Sequence, residues 1–248
     1  QQLRSLPDAT VEGVFALWYG KGPGVDRSGD PIKHGNYAGT HAKGGVLVLF
    51  GDDHPGKSST TAHHSEQALA ANNVPVLYPS DVGEFVRMGL LGWALSRYSG
   101  CWVGMKVVNE TVEQTATVDS DLQPPFAEPD KGELPPEGVH FRGVYAPARD
   151  ESILKRYRLP LVHRFCRANC VDRAVFDVSS RRLGLVTAGK AYQDTMQALQ
   201  YLGIDASRAL QLGVDVYKVG LIWPLEPDGL RAFAGQCEEL FFIEEKSA

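Results

Sequence analysis

A chain of 248 residues with 43% hydrophobic content can bury a substantial core, as one large α/β domain or two smaller ones. Its net charge of −5 leaves no footprint for nucleic acid or an anionic membrane surface, and no apolar stretch approaches the ~20 residues that span a bilayer. Four scattered cysteines and no signal peptide ahead of the first strand make a cytoplasmic location the expectation.

Strands and helices alternate along the chain, which predicts an α/β fold of parallel sheets with helices on both faces. In the first part, strands are expected at Gly13–Tyr19, Gly45–Phe50, Val74–Tyr78 and Cys101–Val108, whose near-continuous apolar character suits buried parallel strands. Helices are expected over Gly29–Thr40, Ser65–Asn72 and Ser80–Ser99, the last with Ser80 as its N-cap and Phe85, Met88, Leu91 and Leu95 in helical period. From Asp119 to Ala148 the composition shifts to Pro, Gly and acidic residues, an irregular excursion. A helix over Asp150–Asn169 should kink or restart at Pro160. A second α/β unit follows: strand Arg182–Thr187, helix Ala191–Leu202, strand Val214–Leu221, helix Pro227–Gln236 and strand Glu239–Glu244. The divisions expected are 1–118, 119–178 and 179–248.

Gly51 to Ser58 spell G-D-D-H-P-G-K-S after an apolar run, a literal match to the phosphate-cradling pattern G-x-x-x-x-G-K-[ST]. Asp52 and Asp53 bring negative charge where an anion would sit, Pro55 deletes one N–H donor, and the Ser58-Ser59-Thr60-Thr61 run starts a helix poorly. The match reads as coincidental. Cys166 and Cys170, four residues apart, lack a second ligand pair, and adjacent His63 and His64 lack a third ligand, so no metal site is expected.

Gly13–Tyr19, the glycines Gly20, Gly22 and Gly24, the loop from Gly51 to Gln67 and the segment Pro75–Glu84 occur in an order that resembles the pyrimidine-binding domain of thiamine-diphosphate-dependent 2-oxoacid:ferredoxin oxidoreductases. The indolepyruvate type, in its long fused form, is the nearest likeness. The resemblance continues through Trp93–Trp102, Leu185–Lys190 and Lys218–Pro227, and so covers most of the chain. It implies a pyrimidine-domain part lacking its first strand and helix, followed by a transketolase C-terminal-like domain. The whole enzyme would decarboxylate an aryl 2-oxoacid on thiamine diphosphate with Mg, pass electrons through iron–sulfur clusters to ferredoxin, and hand the acyl group to CoA. Neither a catalytic glutamate upstream of Gly13 nor the Mg-diphosphate motif is found. The chain is therefore expected to be an internal fragment, inactive alone and binding no cofactor tightly. Its partners would be the remaining domains of the same enzyme, in a homodimer, with neither nucleic acid nor membrane.

By the same resemblance, Asp52, Asp53, Ser58, Ser59, Glu66 and Gln67 carry over onto elements that two-subunit relatives share. Ligands of open α/β sheets bind beyond the carboxyl ends of the strands, where Gly22, Gly24 and the loop 51–66 are expected. His54 or His64 is the natural proton carrier, since histidine titrates near neutrality. Lys57 is the natural carboxylate partner, although an arginine of some pyruvate-type relatives has no counterpart beside Asp52-Asp53-His54. Two other classes are open: a nucleotide-binding protein using Gly51–Ser58, and a non-catalytic module that docks neighbouring domains.

Overall fold

The computed structural model describes residues 8, 10–56, 60–118, 125–141, 143 and 146–245. They form two mainly parallel sheets packed with helices. The first sheet has the order β1-β2-β4-β3-β8, made of β1 (Phe15–Lys21), β2 (Gly45–Asp52), β3 (Val76–Leu77), β4 (Val103–Val108) and β8 (Leu221–Trp223). The second has the order β5-β7-β6-β9, made of β5 (Arg173–Ala174), β6 (Arg181–Ala188), β7 (Val214–Val219) and β9 (Cys237–Ile243).

Every residue of the central strands β4 and β7 is buried, including Lys106, Asp215 and Lys218, as parallel strands covered on both faces require. β1 corrects the expectation of a buried strand. It lies at the sheet's edge, and exposure alternates along it, with Phe15, Leu17 and Tyr19 turned outward. Only the Ala16–Trp18 face packs on a core, that of Val46, Val48 and Phe50.

The first helix, α1 (Gly22–Ala38), begins seven residues before the expected Gly29. Gly22-Pro23-Gly24 reads as a turn, yet Pro23 sits in the first helical turn, where its fixed φ fits and its missing N–H costs nothing. Val25, Ile32 and Asn36 then fall on one buried face. Arg158, fully buried, closes the far end by donating to the carbonyls of Asn36, Tyr37 and Ala38 at 3.0, 2.9 and 3.3 Å, and to Val139 at 2.7 Å. α2 (Ser65–Ala71) is short, and α3 (Val82–Ser99) lays Leu91, Leu95 and Tyr98 into the main core. Its N-cap is Asp81, not Ser80: the Asp81 carboxylate accepts from Glu84 N–H at 3.1 Å. Glu84 reaches back to accept from Ser80 N–H at 2.9 Å, one residue before the cap.

After the short α4 (Asn109–Val112), residues 125–141 contain neither helix nor strand, as their composition predicts. The helix expected over Asp150–Asn169 is α5 (Pro147–Ile153) and α6 (Leu159–Ala168) joined by one π turn at Leu154–Arg158. Pro160 stands in the first turn of α6, and the wider turn before it absorbs the hydrogen bond its nitrogen cannot make.

The second unit carries α7 (Gly189–Tyr201), α8 (Ala206–Leu212) and α9 (Pro227–Ala234). Its expected strand Val214–Leu221 is two strands, because the chain leaves the second sheet at Gly220 and enters the first, where β8 pairs antiparallel with β3. Asp172 fixes that transfer by accepting from Gly220 N–H at 2.7 Å and Leu221 N–H at 2.9 Å. A second tie joins α3 to the other sheet: buried Lys218 of β7 donates to Ser80 Oγ at 2.9 Å and pairs with Glu84, while Gln193 of α7 donates to Asp81 at 2.7 Å.

Candidate functional site

The carboxyl ends of both parallel sheets meet. On one side are Asp52 at the end of β2, Tyr78 after β3 and Glu110 after β4. On the other are Thr187 and Gly189 at the end of β6, and Glu244 and Glu245 after β9. The contact is tight at Tyr78, whose ring lies against Gly189; a side chain on Gly189, which has φ +50, would overlap that ring. Tyr78 and Val108 of the first sheet share a core with Val186, Ala188 and Val219 of the second.

Lys106 of β4 is the charged centre of this junction. Only 5% exposed, its ammonium lies 3.0 Å from Glu66 Oε1, 4.0 Å from Asp52 Oδ2 and 5.0 Å above the Tyr78 ring. Asp52 is in turn held by Ser65, whose N–H and hydroxyl donate at 3.0 and 2.5 Å. These bonds tie the start of α2 to the end of β2 and set the path of the loop between them. His54, buried, places Nδ1 3.1 Å from Glu245 Oε2 across the junction. Several buried oxygens here have no hydrogen-bond partner: Thr187 Oγ1, Glu66 Oε2 and Glu110 Oε2. Burial, then the charges of Glu245, Glu66 and Glu244, push the Tyr78 phenol up, so it stays neutral and able to donate. Burial likewise raises the Glu244 carboxyl.

Of the residues expected from sequence, the structure brings Asp52, His54 and Glu66 into this junction. Asp53 is buried beside them, its carbonyl accepting from Gly56. His64 precedes α2, where its carbonyl accepts from Gln67 N–H at 3.0 Å. Gly22 opens α1 so close to His63 that a methyl group there would overlap the imidazole, and His63 Nδ1 stands 3.6 Å from Asp26. The two loops expected to face a ligand therefore touch each other. Gly24 lies one turn into α1, near the Trp18 ring. Lys57, Ser58 and Ser59 lie outside the described residues. A phosphate-binding loop opens a helix at its Lys-Ser, whereas residues 60–64 are not helical and α2 begins at Ser65.

Sequence reasoning missed Tyr78, Lys106, Glu110, Glu244 and Glu245. A lysine inside the otherwise apolar run Val103–Val108 was the available signal, since a buried lysine demands a partner. Among the described residues no group of three or more His, Cys, Asp or Glu can hold a metal ion, and no helix is long and apolar enough to cross a membrane.

Residues 173–248 match the family model of the indolepyruvate oxidoreductase domain. Two curated relatives are the indolepyruvate oxidoreductase subunits IorA of Methanothermobacter marburgensis, 26% identical over 241 residues, and of Methanothermobacter thermautotrophicus, 22% identical over 237 residues. Each match takes in 96% of this chain and 36% of the relative, so the chain spans about a third of the length of these proteins. Among solved structures, the 2-oxoglutarate:ferredoxin oxidoreductase from Magnetococcus marinus, determined with 2-oxoglutarate, coenzyme A and succinyl-CoA bound, superposes with a TM-score of 0.59 at 16% identity. That likeness takes in 94% of this chain and 46% of the other, and establishes the fold.

Proposed function

For this relative of the indolepyruvate oxidoreductases, we propose that the chain forms the pyrimidine-side wall, and the domain after it, of an enzyme that oxidatively decarboxylates an aryl 2-oxoacid. In that enzyme ferredoxin takes the electrons, CoA takes the acyl group, and the whole works as a cytoplasmic homodimer. The observation that carries the reading is the meeting of two sheets at their carboxyl ends, with buried polar atoms left without partners between them. Residues 1–118 make the pyrimidine-binding part, 119–178 the connection and 179–248 the transketolase C-terminal-like domain.

Thiamine diphosphate, Mg and iron–sulfur clusters belong to the intact enzyme. The described residues do not fit the Mg-diphosphate end of that cofactor, since no carboxylate-rich metal set is present among them. Cys101 and Cys166 are buried, with thiols pushed up by burial, the opposite of what cluster ligation needs. No step through either group is therefore assigned to this chain. Its own residues shape the wall: Gly22 and Gly24 let the backbone approach, while Asp52, Asp53 and Glu66 face substrate. His54, with Glu245 against its ring, and His64 handle the proton. The apolar outer face of β1 (Phe15, Leu17, Tyr19) supports packing against further protein.

The test is His54→Gln in the full-length enzyme, assayed by viologen reduction with indolepyruvate. A proton role predicts a kcat lower by ~10²-fold or more with cofactor content unchanged. A non-catalytic docking module predicts unchanged kcat. A nucleotide-binding protein predicts instead a thermal shift of this chain with Mg-ATP, about 2.7 kcal/mol at ~100 times the dissociation constant.

A further inference from the structure

The first sheet ends in an unguarded strand. Soluble proteins protect sheet edges with short strands, charges, prolines or bulges, because an edge offers a row of unpaired N–H and C=O groups. Three of the four sheet edges here follow that rule: β8 has three residues, β5 has two, and β9 carries Glu238 and Glu239. β1 instead has seven residues in unbroken register with β2, and neither a charge nor a proline falls between Gly13 and Gly20.

The pairing with β2 decides which groups point outward. Gly45 N–H donates to the Val14 carbonyl at 3.2 Å, so Val14, Ala16, Trp18 and Gly20 turn their backbone groups toward β2. Phe15, Leu17 and Tyr19 turn theirs to the open edge, and the same three residues are the exposed ones, at 52, 50 and 77%. About Leu17, the run Phe15-Ala16-Leu17-Trp18-Tyr19 is complementary to its own reverse. An antiparallel copy sets Leu17 opposite Leu17, Phe15 opposite Tyr19, and the small Ala16 opposite the large Trp18. All three outward residues then fall in hydrogen-bonded pairs, with about six inter-strand bonds at two per pair. Centring on Ala16 leaves Tyr19 against Gly13, and centring on Trp18 leaves Phe15 against Lys21. With no charge on this edge, shape selects the partner strand, and the shape that fits is the strand itself.

We propose that β1 pairs antiparallel with β1 of a second copy of this chain about a two-fold axis at Leu17, joining two five-stranded sheets into one of ten strands. The inference rests on the homodimer reading above and assigns an interface to it. Phe15 already meets Trp93 of α3 edge-to-face, with ring centroids 6.1 Å apart. Tyr19 of the second copy extends that aromatic contact across the axis and shields rings that a lone chain exposes.

The test is sedimentation velocity of the 248-residue chain from about 1 to 100 μM, a range that brackets micromolar association. The expected result is a monomer–dimer equilibrium. Leu17→Lys and Leu17→Glu each set like charges face to face on the axis and should weaken association by about 100-fold or more, with the far-ultraviolet circular dichroism unchanged. An equimolar mixture of the two variants should restore the dimer, because opposite charges then meet on the axis. Hydrogen exchange of the unaltered chain gives a readout that needs no variant: residues 13–20 should be better protected at the top of the concentration range than at the bottom. A dimer indifferent to both substitutions, or no recovery in the mixture, overturns this interface and leaves the homodimer reading standing. A chain that is monomeric throughout, with exchange unchanged, also overturns it, whereas the homodimer reading falls only if the full-length enzyme is monomeric too.

Discussion

Replacing Lys106 by methionine probes the junction at its centre. The substitution keeps most of the side-chain volume and removes an ammonium that lies 3.0 Å from Glu66, 4.0 Å from Asp52 and over the Tyr78 ring. Removing one partner of a buried ion pair costs ~3–5 kcal/mol, because the remaining charge stays buried without a counterion. The Glu66 side chain retains 20% of its exposure, which favours the lower end, about 3 kcal/mol. For a chain of this size each kcal/mol lowers the melting temperature by ~2–4 °C, so Lys106→Met should fall by roughly 6–12 °C at neutral pH. Lys106→Met with Glu66→Gln should recover more than half of the loss, because only Asp52, which Ser65 already holds, then keeps a charge. Calorimetry of the two single variants and the double variant tests this as a cycle. If Lys106→Met melts within about 1 kcal/mol of the parent, or the double variant loses the sum of both singles, the junction is not organised around this charge.

Asp172→Asn should raise stability at pH 7.5 and leave it unchanged near pH 4. Burial lifts the Asp172 carboxyl to about 6, so the folded chain holds a proton that the unfolded chain releases near ~3.9, and stability falls as pH rises between those values. Two pKa units correspond to at most ~3 kcal/mol, and Asn offers the same oxygen to Gly220 and Leu221; urea midpoints across pH 4–8 measure it. Arg158→Met should cost ~3 kcal/mol or more by leaving the carbonyls at the end of α1 unpaired in the core, readable in chemical denaturation. Gly189→Ala should destabilise by more than ~1 kcal/mol, since φ +50 and the Tyr78 ring both exclude a methyl group; a thermal melt decides it, and an unchanged melting temperature counts against the packing described.

Strands β2, β4 and β7 were legible because burial on both faces leaves mostly apolar runs, interrupted only by charged residues with partners, and α3 because its apolar period and caps agree. The start of α1 was not, since Gly22-Pro23-Gly24 scores as a turn unless His63 is known to occupy the space above Gly22. The break at Gly220 was hidden for a different reason: both strands flanking it are apolar, and only pairing partners distant in sequence distinguish one sheet from the other. At the site, the loop 51–66 announced Asp52, His54 and Glu66 by proximity along the chain. Their counterparts Tyr78, Lys106, Thr187 and Glu245 come from four other segments, which no local pattern joins.

The passage through Gly220 also bears on how this molecule can move. A chain that runs from β7 straight into β8 stitches one sheet to the other by a single residue, with Asp172 pinning the stitch and Lys218 bolting α3 alongside it. Opening the two halves like a book would shear the β3–β8 pairing and unseat both fastenings together. The packing of Tyr78 against Gly189 is therefore held in place from both sides, and the two sheets keep a set spacing. In mechanical terms this is a fixed frame, whose two sheets travel together rather than against each other.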